Sequence, residues 1–242
     1  MSQSLKNKKC LVTGASRGIG KSIVKKLLES DAIVIASASS MEGLENLKDE
    51  FSYFDNVEKN LFIFQADLTL ADEVQKLCTS VNEVIGDIDI LINNAGILHL
   101  ELLKNSNEDI LRKSFEVNYF APFALCRFFS RAMIKNKSGV IINMCSSSSY
   151  TGGGAPKHSI YASTKHALLG LTRALDEELR QHNIRVGSVS PAGVSTDMMS
   201  GRGDLDHESF MTADDVADAV IHLLKSEGPG IVYEMRMWRM NR

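Results

Sequence analysis

The sequence has few cysteines and no pairing pattern among them. Four occur in 242 residues, and no two form a C-x-x-C pair. Cys10, Cys78, Cys126 and Cys145 each lie in an apolar segment, which reads as reduced core thiols of a cytoplasmic protein rather than a disulfide framework. Nothing suggests a metal centre. Proline is equally scarce, with four residues, and no Pro- or Ser-rich linker, low-complexity tract or tandem repeat divides the chain. A basic excess is missing: the formal net charge is −3, which argues against a nucleic-acid or membrane-surface partner. No apolar stretch reaches the ~18 residues of a membrane span. The opening "MSQSLKNKK" lacks the apolar run of a signal peptide. The tripeptide "RGD" at 202–204 reads as part of a solvated polar loop.

What is present is ordinary globular composition, 44% hydrophobic and 24% charged, enough for a normal core. The length fits one domain, since α/β domains run to ~250 residues. Short runs rich in Val and Ile stand at 10–13, 32–38, 61–66, 88–93, 139–145, 184–190 and 230–237. They do not alternate with polar residues, as expected of strands buried on both faces. Helix-period segments lie between them near 18–30, 41–54, 70–85, 107–134, 160–181 and 213–225. Repeated β–α alternation predicts a seven-stranded, doubly wound parallel sheet of the Rossmann type, with helices on both faces in a three-layer sandwich.

Directly after the first strand comes "TGASRGIG", residues 13–20. Gly14, Gly18 and Gly20 fall between strand and helix, where glycine lets the backbone approach a pyrophosphate and the helix N-terminus favours the anion. The spacing is G-x-x-x-G-x-G rather than G-x-G-x-x-G. The same residues, Gly14 to Gly18, also match the G-x-S-x-G nucleophile elbow of an α/β-hydrolase, with Ser16 as nucleophile. That elbow normally follows several strands rather than the first, and no downstream acid and histidine are marked out. Dinucleotide sites usually place Asp or Glu about 20 residues on. Here the second strand ends "ASASS", residues 36–40, without an acid. That absence, with Arg17 in the loop, suits a 2′-phosphate and hence NADP(H), with NAD(H) as the alternative.

Farther on come "NNAG" at 93–96, Asn118, and "YASTK" at 161–165. In this order the motifs resemble the short-chain dehydrogenase/reductase family in its compact single-domain form, over roughly residues 8–236. The resemblance implies a cofactor site built from Gly14, Ser16, Arg17, Gly18, Ile19, Gly20, Ser37, Asp67, Leu68, Asn94, Ala95 and Gly96. Tyr161 would be the general acid/base, and Lys165 would hold the nicotinamide ribose and lower the tyrosine pKa. Residues i and i+4 share a helix face, and a nearby cation favours a phenolate whose parent titrates near ~10. Pro122 lies four residues beyond Asn118 and cannot donate to its carbonyl. The resemblance implies a proton relay through that freed oxygen.

The implied serine is open between two positions. Counting back from Tyr161 gives Ser148, whereas strand register in "INMCS", residues 142–146, gives Ser146. Ser146 is preferred, because strand ends fix side-chain direction more firmly than loop length does. After the sixth strand the chain reads "PAGVST", residues 191–196, where the resemblance implies cofactor contacts from Pro191, Gly193, Val194 and Thr196. Ala192 replaces a customary glycine. Residues 197–212 then form a short substrate-side loop, predicting an open site that His99, Leu100, Gly153, His158 and Met198 could border. The C-terminal "MRMWRMNR" would pack across a subunit boundary or close the sheet edge.

The sequence thus predicts one domain, 1–242, that interconverts a small carbonyl compound and its alcohol with NADP(H), as a cytoplasmic homodimer or homotetramer. Its catalytic residues would be Tyr161, Lys165, Ser146 and Asn118. The rivals are a cofactor-binding regulator without turnover and the Ser16 hydrolase.

Overall fold

A computed structural model describes residues 4–55, 57–151, 156–196, 198, 210–226 and 230–238. Seven parallel strands form one sheet in the order β3-β2-β1-β4-β5-β6-β7. They are β1 (Lys9–Thr13), β2 (Ile33–Ala38), β3 (Leu61–Gln65), β4 (Ile90–Asn93), β5 (Gly139–Met144), β6 (Ile184–Pro191) and β7 (Glu234–Met237). The helices are α1 (Gly18–Leu28), α2 (Met41–Glu50), the short α3 (Val57–Asn60), α4 (Ala71–Ile85), α5 (Glu108–Phe115), α6 (Ala121–Asn136), α7 (Ser159–Leu179) and α8 (Ala213–Lys225).

The expected Rossmann-type sheet is therefore what forms, and the pleat explains why. Cys10 and Val12 of β1, with Ile90 and Ile92 of β4, join one core with Ile23, Leu27, Val220 and Leu224 from α1 and α8. Leu11 and Leu91 point the other way, into a second core with Leu77, Val81, Leu125 and Phe129 from α4 and α6. Strands apolar on both faces can be covered only by helices on both faces. Each fully buried Leu or Ile contributes roughly 1.5–3 kcal/mol of transfer free energy.

The segment 107–134, expected as one helix, is broken. Residues Glu116–Phe120 form a π-helical turn between α5 and α6, and the Ala121 N–H donates to the Glu116 carbonyl, five residues back. Pro122 opens α6. It has no N–H, and its ring crowds the carbonyl four residues before it, so one extra residue in the turn relieves the clash. Other ends shift by a few residues. Helix α1 stops at Leu28, and the chain turns into β2 through Asp31 in the left-handed region at φ 57°.

The strand order reverses between β1 and β4. Connections leave in opposite directions there, which opens a crevice beyond the strand C-termini. Among the described residues, no helix is long and apolar enough to cross a membrane.

Candidate active site

That crevice is a cleft of about 950 Å³. Its nucleotide-side lining includes Gly14, Ser16, Arg17, Gly18, Ile19, Gly20, Ser37, Asp67, Leu68, Asn94, Ala95 and Gly96. At the other end stand Ser146, Tyr161, Lys165, Pro191, Gly193, Val194 and Thr196. The candidates named from the sequence thus meet in one place, with one exception. Asn118 is fully buried and does not border the cleft.

The glycine loop is locked to the end of β4. Gly14 has φ 63°, and a Cβ there would meet the Ala95 Cα at 2.7 Å. The Thr13 hydroxyl accepts from the Asn94 and Ala95 N–H groups, and the Asn94 amide donates to the Thr13 and Gly14 carbonyls. A rigid, side-chain-free cradle therefore faces the start of α1, which fits the pyrophosphate of a dinucleotide. Beyond it, β2 ends in buried Ser37 with Ala38 and Ser39 on the cleft wall, so no carboxylate there opposes a phosphate. Asp67 accepts the Thr69 N–H at 2.9 Å, and that bond holds its carboxyl below the ordinary range.

The Tyr–Lys pair is built differently from expectation. Tyr161 is half-buried and Lys165 buried on α7. The Lys165 ammonium donates to the Met144 carbonyl at the end of β5, at 2.8 Å, and lies 5.8 Å from the centre of the Tyr161 ring. Burial pushes the phenol up to about 12, against an opposing hydrogen bond from Ser146. Burial also lowers the lysine to about 8. The phenol is thus raised where the sequence reading expected it lowered: loss of hydration outweighs the contribution of Ser146.

Ser146 and Ser148 have distinct places. The Ser146 side chain lies near enough to the Tyr161 hydroxyl to pull its pKa down, and it accepts the Ser148 N–H at 3.1 Å, capping the short 3₁₀ turn Ser147–Ser149. Ser148 also lines the cleft, but its backbone serves Ser146. The Asn118 side chain is a clamp. Its oxygen accepts the Ile97 N–H at 2.9 Å, and its amide donates to the Ile97 carbonyl and the Thr164 hydroxyl.

Of the bordering residues considered, His158 and Met198 line the cleft, and His99 and Leu100 do not. Gly153 and most of the loop 197–212, including 202–204, lie outside the described residues. The base of that loop is pinned: the Ser195 N–H donates to Met211, and the Met211 N–H to Gly193. Lys113, Thr69, Phe210 and Trp238 also line the cleft and were not anticipated there. Lys113 sits in the helical segment expected over 107–134, and its period-3.6 pattern carries no mark of a site. Trp238, read as a subunit or sheet-edge residue, follows the terminal strand β7 and also borders the cleft.

The family model of the short chain dehydrogenases matches residues 8–205. The 3-oxoacyl-[acyl-carrier-protein] reductase FabG of Salmonella typhimurium is 31% identical over 240 residues, covering 96% of this chain and 95% of the relative. Among solved structures, an alcohol dehydrogenase from the archaeon Thermococcus sibiricus complexed with 5-hydroxy-NADP superposes with a TM-score of 0.85 at 26% identity, covering 97% of each chain. A metagenomic short-chain oxidoreductase in complex with NADP gives 0.81 at 30% identity, covering 98% of this chain and 99% of that one.

Proposed function

The chain belongs to the short-chain dehydrogenase family of oxidoreductases, and from that premise we propose that it transfers hydride between NADP(H) and a ketone or secondary alcohol. The observation that carries this reading is the convergence of the Ser146 and Tyr161 hydroxyls and the buried Lys165 ammonium at the end of a cleft that begins in a glycine cradle. A bound nicotinamide supplies or accepts the hydride. In the direction of reduction, Ser146 donates a hydrogen bond to the carbonyl oxygen and stabilises its developing charge. Tyr161 then passes its proton to that oxygen. Burial keeps the phenol protonated at neutral pH, which is the form a proton donor needs. An alkoxide is a stronger base than a phenolate, so the transfer runs downhill. Lys165 uses one of its three donors on Met144, and the others would hold the ribose. Asn118 acts by positioning the Ile97 loop and α7.

NADP(H) rather than NAD(H) is supported by Arg17, by the acid-free end of β2, and by relatives solved with NADP. Asp67 and Leu68 would hold the adenine. Residues 1–242 would act as one unit, with 197–212 beside the substrate. Free, buried cysteines support a reducing compartment such as the cytoplasm. The exposed Phe120 and Phe123 support a homo-oligomer.

Tyr161→Phe tests the reading. Reduction of a ketone panel by NADPH should fall about 10²–10⁴-fold while NADPH still binds. Near-native turnover would sink the acid/base role. Tight NADPH binding by the unaltered protein with no turnover of any carbonyl would favour the regulator.

A further inference from the structure

The far end of the cleft narrows the substrate class. Among the described residues, Arg17 of the glycine loop and Lys113, which acts on Asp67, stand at the nucleotide end, and Lys165 stands at the other. Around the Ser146–Tyr161 pair the wall also carries rings. Strand β7 continues in register with β6, Pro191 opposite Met237, and the Ala192 N–H donates to the Met237 carbonyl at 2.9 Å. Trp238 follows directly, so it stands beside Ala192 at the C-terminal edge of the sheet. On the next residue, a Cβ at Gly193 would lie 3.2 Å from the Phe210 ring. An indole and a phenyl ring therefore flank Ala192–Gly193, and both border the cleft. Phe210 is buried, and Trp238 is 49% exposed. Met198, also half-exposed, borders the same cleft.

The indole hangs from a clamped strand. Glu234 of β7 accepts from Arg173 at 2.6 Å and from the Tyr150 hydroxyl at 3.0 Å, and the Arg236 guanidinium lies 3.4 Å from the centre of the Tyr150 ring. A side chain on such a support is held ready rather than ordered on binding. Broad apolar faces favour a ligand that buries ring surface against them.

We infer that Phe210 and Trp238 form an aromatic wall that selects ketones carrying an aromatic or similarly broad apolar group over small aliphatic ones. This rests on the ketone-reductase reading of the same site.

Trp238 is the sole tryptophan of the chain, so intrinsic fluorescence reports the wall directly. In the first arm the protein is saturated with NADP⁺, which cannot deliver hydride, and titrated at pH about 8, where an ordinary histidine is neutral. Phenylacetone should change the emission saturably. Butanone should bind about tenfold more weakly or not at all. In the second arm, the ratio of kcat/KM for phenylacetone to that for butanone should fall about tenfold in Trp238→Ala and in Phe210→Leu. NADPH affinity serves as the check that each variant is folded. The inference is overturned if phenylacetone gives no saturable change, if butanone binds as well, or if both folded variants keep the wild-type ratio. Saturable binding without reduction of any ketone would leave the wall standing and sink the hydride-transfer reading. Indiscriminate reduction would do the reverse.

Discussion

The Lys165 ammonium lies 2.8 Å from the carbonyl oxygen of Met144. That bond ties the first half of α7 to the C-terminal end of β5, two residues before Ser146. It fixes the strand end and the helix face relative to one another, so the Ser146 and Tyr161 hydroxyls meet without either loop being long. It also engages a cation that the fold has stripped of water, which is why its pKa drops to about 8.

A pH dependence of cofactor binding follows. Lys165 is charged below about pH 8 and neutral above it. Ribose oxygens favour the ammonium, so binding takes up a proton above that value, and NADPH affinity should weaken as pH rises through it. Isothermal titration at stepped pH reads this directly, and Lys165→Met should remove the slope. A dissociation constant that stays level in the unaltered protein would exclude the ammonium from cofactor binding.

Ser146→Ala should lower kcat about 10²–10³-fold, the usual loss of one donor to a developing oxyanion. Ser148→Ala should cost much less, because Ser148 supports Ser146 through its backbone N–H, which alanine retains. Steady-state kinetics on both variants decide the matter; the opposite ranking would move the role to Ser148.

Arg17→Ala should raise the dissociation constant for NADPH about 10–100-fold, the worth of a charged hydrogen bond to phosphate. NADH affinity should change little. Equal losses for both cofactors would mean that Arg17 holds the loop rather than the 2′-phosphate.

Asn118→Ala should act on stability first. It strips partners from the Ile97 N–H and carbonyl and from the Thr164 hydroxyl. Each buried group left unsatisfied costs about 1–3 kcal/mol, so the urea midpoint should fall clearly. An unchanged midpoint would show that the Ile97 loop holds its shape without the clamp.

The architecture was open to reading because its signals are local. Runs such as "CLVT" and "IDILIN" carry apolar residues at successive positions, Cys10 to Val12 and Ile90 to Ile92, and only a sheet covered on both faces satisfies them. "TGASRGIG" and "YASTK" carry fixed spacings within one turn or one helix. The break at residues 116–120 was half-legible: Pro122 announced a fault in the ladder, but an i+5 turn depends on how α5 and α6 pack on either side of it.

The rest depends on contacts distant in sequence. Trp238 reaches the cleft because β7 registers against β6, and nothing in "MRMWRMNR" encodes that pairing. Asn118 becomes a clamp because Ile97 and Thr164 come to it. The direction of the Tyr161 shift was not legible in sequence, since spacing reveals a nearby charge but not how much water the fold removes. Sequence alone determined the strands and most of the helices, since side-chain alternation and helical period are properties of adjacent residues. Only the tertiary structure decided which groups are buried and what they touch. Hydration lost and partners gained are set by the whole fold, and those two quantities govern the acidity of the phenol and the aromatic lining of the site.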